Sequence, residues 1–137
     1  MTAPADPVQA IQALKARYCA AADRSAGDPD GARAAFESIF LPDAVGDYGF
    51  GPMQGLESLA DFLCTAISGN SEWVLHMIHS PLIEVAGDEA TGDWTVMVHL
   101  KRLESGQVDV IIGRYSDSFR RRPEGWRIAR VTFSRLT

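Results

Sequence analysis

The sequence predicts an α+β domain, with helices gathered on one side of an antiparallel sheet. Two observations carry that prediction. Up to about residue 67, apolar residues recur mostly at steps of three and four, interrupted by one short strand-like run and a glycine-rich loop. From Trp73 onward, long strand-like runs are separated by short turns, and short turns join antiparallel neighbours.

Asp6 is placed to cap a first helix, and Pro7 suits its first turn. Val8, Ile11, Leu14, Tyr18, Ala21 and Ala22 draw its apolar stripe, with an end expected near Arg24 to Gly27. Asp28-Pro29 repeats the signal for a second helix over about 29–40, with Ala32, Ala35, Phe36 and Ile39 inward and Pro42 just past its end. Residues 44–48 read as a short strand, followed by a turn-rich loop through Gly49, Gly51, Pro52 and Gly55. A third helix is expected over 56–67, with Leu59, Phe62, Leu63, Ala66 and Ile67 inward. Four strands follow, over 73–85, 90–102, 107–119 and 126–136, with Gly87-Asp88, Ser105-Gly106 and Pro123-Glu124-Gly125 as turns. The expected order is α-α-β-α-β-β-β-β, one domain over 1–137.

Composition narrows the function classes. The chain has 137 residues, 46% hydrophobic, with a net charge of −5, which excludes a polycation built to hold nucleic acid. The charge is split: residues 101–137 hold nine of the 13 basic side chains and four of the 18 acids, net +5 against −10 before them. No apolar run approaches a membrane span, and the first residues lack the pattern of a signal peptide. Cys19 and Cys64 form no CxxC, so a reduced, cytoplasmic protein with two buried thiols is expected. Nucleotide-loop, dinucleotide-fold and serine-hydrolase motifs are missing.

Few residues are candidates for chemistry. Asp23 stands near the C-terminal end of a helix, where the macrodipole disfavours an acid, so it needs a partner or solvent. Alternation puts His76 on one strand face with Val74 and Ile78, and His79 on the other, so the two do not share a metal. His99 shares a face with Thr95, Met97 and Lys101, either as a pocket group or as a structural histidine. With both cysteines on helices, a zinc site is not expected. Tyr18, Tyr48 and Tyr115 are either hydrogen-bond donors to a substrate or core-edge residues. Arg130 is a candidate to turn inward and meet a buried acid or a substrate carboxylate. Five residues at 100° each put Tyr18 and Asp23 roughly 140° apart on an ideal helix.

Several motifs occur in a telling order. They are Arg17-Tyr18-Cys19-Ala20-Ala21-Ala22-Asp23, Leu41-Pro42-Asp43-Ala44-Val45, the run from Gly55 to Phe62, His76-Met77-Ile78-His79-Ser80-Pro81, Gly113-Arg114-Tyr115-Ser116-Asp117 and Gly125-Trp126-Arg127-Ile128. Together they resemble the SnoaL-like branch of the nuclear-transport-factor-2-like superfamily, which has a cystatin-like fold and includes scytalone dehydratase, bile-acid dehydratase and ketosteroid isomerase. Ser80 stands where the family usually has Asn. The resemblance implies a cone, a curved sheet wrapped around the helices with an apolar pocket at one end. It implies Tyr18, Asp23 and His76 as acid–base residues, and His99 as a match to a second histidine of scytalone dehydratase.

The expected function is a cofactor-free, dehydratase-like lyase or isomerase acting on an apolar cyclic or aromatic carbonyl compound. The alternative is a non-catalytic domain of the same fold that binds a small molecule or a protein. Tyr48, His99, Tyr115 and Arg130 are the expected substrate contacts, and the resemblance implies a homodimer or homotrimer. An outer sheet face carrying Trp94 or Val96 would suit such an interface.

Overall fold

In the computed structural model, which describes residues 6–137 apart from the side chain of Ile67, the helices are α1 (Pro7–Arg24), α2 (Pro29–Glu37) and α3 (Leu56–Phe62), which widens into a π-helical turn over Leu63–Ile67. The strands are β1 (Phe40–Asp47), β2 (Pro52–Gln54), β3 (Ser71–Ala86), β4 (Glu89–Arg102), β5 (Val108–Arg122) and β6 (Gly125–Arg135). Both cap-and-proline signals hold. The Asp6 carboxylate accepts the Val8 N–H at 3.0 Å, and Asp28 accepts the Gly31 N–H at 3.0 Å.

Three boundaries differ from expectation, each through tertiary pairing. Helix α2 ends at Glu37, because the sheet claims the next residues: Ile128 donates its N–H to the Ile39 carbonyl at 2.8 Å, and Phe40 pairs with Ile128. Strand β1 therefore begins at Phe40 and takes in Pro42, where the register shifts between Phe40 and Val45 and a missing N–H costs no ladder bond. The loop after β1 closes on itself as the short edge strand β2, paired with Val45–Asp47. The π turn rotates the end of the third helix, so Leu63 and Cys64 are buried while Ala66 is exposed. The inward position expected of Ile67 lies outside the described residues.

The six strands form one unclosed sheet in the order β2-β1-β6-β5-β4-β3. Strands β3 to β6 are antiparallel, as their short turns require, whereas β1 runs parallel to β6 and makes the sheet mixed. Strand β5 continues past residue 119, its expected end, through Arg120, Arg121 and Arg122, and Asp88 holds Arg121 through a 2.6 Å ion pair. On β4, Ala90, Trp94, Val96, Val98 and Leu100 turn into the core. Trp94 and Val96 are thus not on the outer face. That face carries the cross-strand rows Leu75–His99–Val110 and Met77–Met97–Ile112 instead, and Leu75, Val110 and Ile112 are exposed. Among the described residues no helix is long and apolar enough to cross a membrane.

Helix α1 lies in the concave face with Ile11, Leu14 and Tyr18 fully buried. Lys15 is fully buried with them. Its Nζ stands 2.7 Å from Asp117 Oδ2 on β5, with both side chains 0% exposed. The ammonium also sits 3.9 Å from the Tyr18 ring centre and 3.5 Å from that of Tyr115, where the electron-rich ring faces attract a cation. Burial pushes the Asp117 carboxyl above the usual carboxylate range, while the Lys15 ammonium and the Thr132 N–H pull the other way.

Lys15→Met is expected to lose roughly 3–5 kcal/mol, because the Asp117 charge is left uncompensated, and Lys15→Met/Asp117→Leu should recover most of it. Urea unfolding checks both. Without the cation, the folded Asp117 holds its proton more tightly than the unfolded one. The single variant should therefore be least affected in acid and lose stability as pH rises above about 4. A second expectation concerns Ser80, whose φ of 54° lies in the left-handed region, at the register shift between His79 and Leu82. Asn tolerates that conformation better than Ser. Ser80→Asn should therefore raise stability by roughly 0.5–1 kcal/mol, and a fall in the urea midpoint would contradict the strain.

Candidate functional site

Asp23 occupies the last turn of α1, where the helix meets β3, and its Oδ1 accepts two hydrogen bonds from one residue. His76 Nδ1 lies 2.7 Å away and the His76 main-chain N–H 2.8 Å away. This is the partner that an acid at a helix C-terminus needs. An ionised carboxylate only accepts, so Nδ1 carries the proton and the lone pair is left on Nε2. The imidazole is buried, its side chain 2% exposed, while Asp23 retains 22%.

Tyr18 does not join this pair. Its hydroxyl lies 2.6 Å from that of Tyr48, just past the end of β1, and its ring stands edge-on to Tyr115, 5.7 Å between centres. The helix geometry explains the division: Tyr18 and Asp23 point roughly 140° apart, and the sheet wraps α1 so that each meets a different wall. Burial pushes the Tyr18, Tyr48 and Tyr115 hydroxyls above their ordinary range. All three stay protonated at neutral pH, as donors rather than bases.

A cavity of about 430 Å³ is walled by Tyr48, Phe50, Phe62, Leu100, Ile111 and Phe133, with Arg102 and Arg135 also in its lining. That volume suits a small ligand. Phe62 and Ala66 reach it from α3 and its π turn. Gly113 keeps the Phe133 wall in place, since a Cβ there would stand 2.6 Å from the Phe133 ring. Of the expected catalytic and contact residues, Tyr48 lines the cavity, and Tyr18, Asp23 and His76 do not. His76 stands one inward position along β3 from Val74, the neighbour of the cavity wall. Val74 pairs with the wall residue Leu100 and His76 with Val98, a step of about 7 Å along the strand.

The other expected contacts are placed elsewhere. Tyr115 is buried in the core beside Tyr18. His99 is on the outer face, because the alternation of β4 gives the inner one to Val98 and Leu100, and its Nδ1 is buried there without a hydrogen-bond partner. Arg130 is exposed on the outer face, because the register shift in the β5–β6 pairing sets it opposite Ser118 while Val131 faces inward opposite Asp117. The cation that turns inward to meet an acid is Lys15. The signal for it was in the sequence, since Lys15 lies four residues after Ile11 and three before Tyr18, on the apolar stripe of α1. His79 is exposed. Cys19 and Cys64 are buried free thiols, as expected, and burial pushes the Cys19 thiol up to about 11. Among the described residues, no three His, Cys, Asp or Glu side chains converge as a metal site needs.

Solved structures with the same architecture include a nuclear transport factor 2-like superfamily protein from Salmonella enterica serovar Typhimurium, 24% identical, covering 94% of this chain and 90% of that one at a TM-score of 0.83. Another, from Novosphingobium aromaticivorans, is provisionally named a scytalone dehydratase, with 17% identity over 95% of this chain and 84% of that one at a TM-score of 0.80. A third is a hexachlorocyclohexane dehydrochlorinase, LinA type 2, 21% identical over 95% of this chain and 88% of that one at a TM-score of 0.78. At these identities the likeness is one of fold. No functionally curated protein matches the chain. The SnoaL-like domain family matches residues 5–132, and the chain belongs to that family.

Proposed function

We propose that the protein is a small cofactor-free lyase or isomerase, dehydratase-like, acting on an apolar cyclic or aromatic carbonyl compound. The observation that carries this reading is the double hydrogen bond from His76 to one Asp23 oxygen. It fixes the position and tautomer of a buried imidazole on the inner face of the sheet, one inward position along β3 from Val74, whose cross-strand partner Leu100 lines the cavity. Two structural neighbours bear names that denote eliminations, of water and of hydrogen chloride, and an elimination of this kind uses a base.

In the proposed reaction His76 Nε2 removes a proton alpha to the substrate carbonyl. Asp23 stabilises the imidazolium that forms. Tyr48, whose side chain lines the cavity, donates its hydroxyl hydrogen to the carbonyl oxygen as it becomes enolate-like, while Tyr18, bonded to that hydroxyl, holds it in position. Protonated His76 then returns its proton to a departing hydroxyl, which leaves as water. A second reading, a small-molecule-binding domain without catalysis, is favoured by one observation: the cavity lining includes Tyr48 but not His76 or Asp23.

The two free thiols fit a reducing, cytoplasmic setting. The exposed apolar rows on the outer face, Leu75, Val110 and Ile112 among them, fit burial against further copies of the chain in a homodimer or homotrimer.

With a carbonyl substrate in hand, His76→Ala is expected to cut turnover by roughly 10²–10⁴-fold with the fold retained, and Asp23→Asn to slow it as well. Full activity in His76→Ala would sink the mechanism, and ligand binding with no turnover in the wild type would favour the second reading. The tautomer is checked without any substrate. Long-range ¹⁵N–¹H correlation should find the neutral His76 proton on Nδ1, and a proton on Nε2 would contradict the dyad. For the assembly, light scattering should give a mass above one chain, shifted to the monomer by Val110→Asp. A monomeric wild type would refute the outer-face interface.

A further inference from the structure

The cavity carries one aromatic ring that the fold leaves in water. Phe50 belongs to the lining, yet it is 82% exposed, whereas the lining residues Tyr48 and Leu100 are buried. Its ring meets that of Phe62 at 6.1 Å between centres, tilted by 56°. The backbone on either side of it is built to turn. Gly49 and Gly51 have φ of 98° and 89°, in the region that favours glycine. A Cβ on either would meet no atom within 4 Å, so the tip of this loop is unpacked. The base of the loop is fixed by contrast. Asp47 pairs with Pro52 across the β1–β2 ladder, and its carboxylate accepts the Gly49 N–H at 2.9 Å. A fixed base, an unpacked tip between two glycines and an apolar ring at the edge of a cavity are the parts of a lid.

From this we infer that Phe50 is a lid: when an aromatic carbonyl compound fills the cavity, the 49–51 tip turns on its glycines and lays the Phe50 ring over the ligand. Closing takes the exposed surface of the ring out of water together with that of the ligand, so the closed form gains apolar burial that the empty protein lacks. It also keeps water from Tyr48, two residues before Phe50, and a hydrogen bond to a carbonyl is stronger in dry surroundings. The inference rests on the reading that this cavity holds the ligand, and it adds how the site closes over it.

The test uses 6-dimethylamino-2-acetylnaphthalene, a neutral aromatic ketone whose emission moves to the blue where water is excluded, with the full chain. Binding is read from that emission. Closure is read from the fluorine resonance of Phe50→4-fluorophenylalanine, whose shift between H₂O and D₂O reports the exposure of that one ring. The expected result is a solvent-isotope shift that is present in the free protein and largely lost with the ketone bound. Phe50→Ala should still bind the ketone, roughly 10-fold more weakly and with redder emission. Because Phe50 is exposed, both variants should fold, which circular dichroism verifies. Blue emission with an unchanged fluorine shift would overturn the lid and leave the cavity reading standing. Unaltered affinity and emission in Phe50→Ala would likewise overturn it. Emission that stays as in water with the wild type would overturn the inference together with the cavity reading on which it rests.

Discussion

The Lys15–Asp117 pair is the contact around which this cone is arranged. It joins the middle of α1 to the inner face of β5 with both side chains fully buried. Desolvating two charges is costly, and the mutual attraction offsets that cost only in a favourable setting. The setting here is aromatic. Tyr18 and Tyr115 present their ring faces to the ammonium at 3.9 and 3.5 Å, and Trp94 stands further off at 5.8 Å. Asp117 Oδ1 lacks an aligned hydrogen-bond partner, so the pair is held more by attraction than by a saturated network. A rotation of α1 about its axis would break it, and the pair thereby sets the helix's angular position against the sheet.

That angular position decides the site. With Lys15 on Asp117, Tyr18 is turned toward β1 and β5, and Asp23 is turned toward β3. The tyrosine hydroxyls and the Asp23–His76 dyad are two groups on two walls rather than one cluster. Each is internally bonded, the first at 2.6 Å between hydroxyls and the second through two bonds to one oxygen. Tyr48 connects the first group to the cavity. A substrate bridging the two groups would contact a hydrogen-bond donor on one side and a proton acceptor on the other.

The outer face follows a different rule. Its rows place Leu75 and Val110 on either side of His99, and Met77 and Ile112 on either side of Met97. The orphan Nδ1 of His99 lies within this apolar surface. The strand alternation that takes His99 away from the interior also keeps Trp94 and Val96 in the core, while beyond the apolar rows the outer face turns polar, with Thr95 opposite Arg114 and Asp93 opposite Ser116.

Local chemistry in the sequence determined a good deal. The proline-and-aspartate caps placed two helix starts, the glycine turns placed the β3–β6 meander, and period-two alternation put His76 and His79 on opposite faces. The motif order made the family legible, and the macrodipole argument showed that Asp23 needed a partner. What the tertiary structure decided depends on residues far apart in the chain. Where α2 gives way to β1 was settled by Ile128, nearly ninety positions away. That β1 runs parallel to β6 was settled by pairing between segments some eighty-five positions apart. Which face of β4 is inner depended on what packs against it, so His99 lay beyond a reading that knows only alternation. Arg130 was lost to a one-residue register shift, which turns a side chain to the opposite face. Lys15 was visible on the apolar stripe, but its burial was decided by Asp117, 102 positions later, because a lysine stays inside only where an acid is waiting for it.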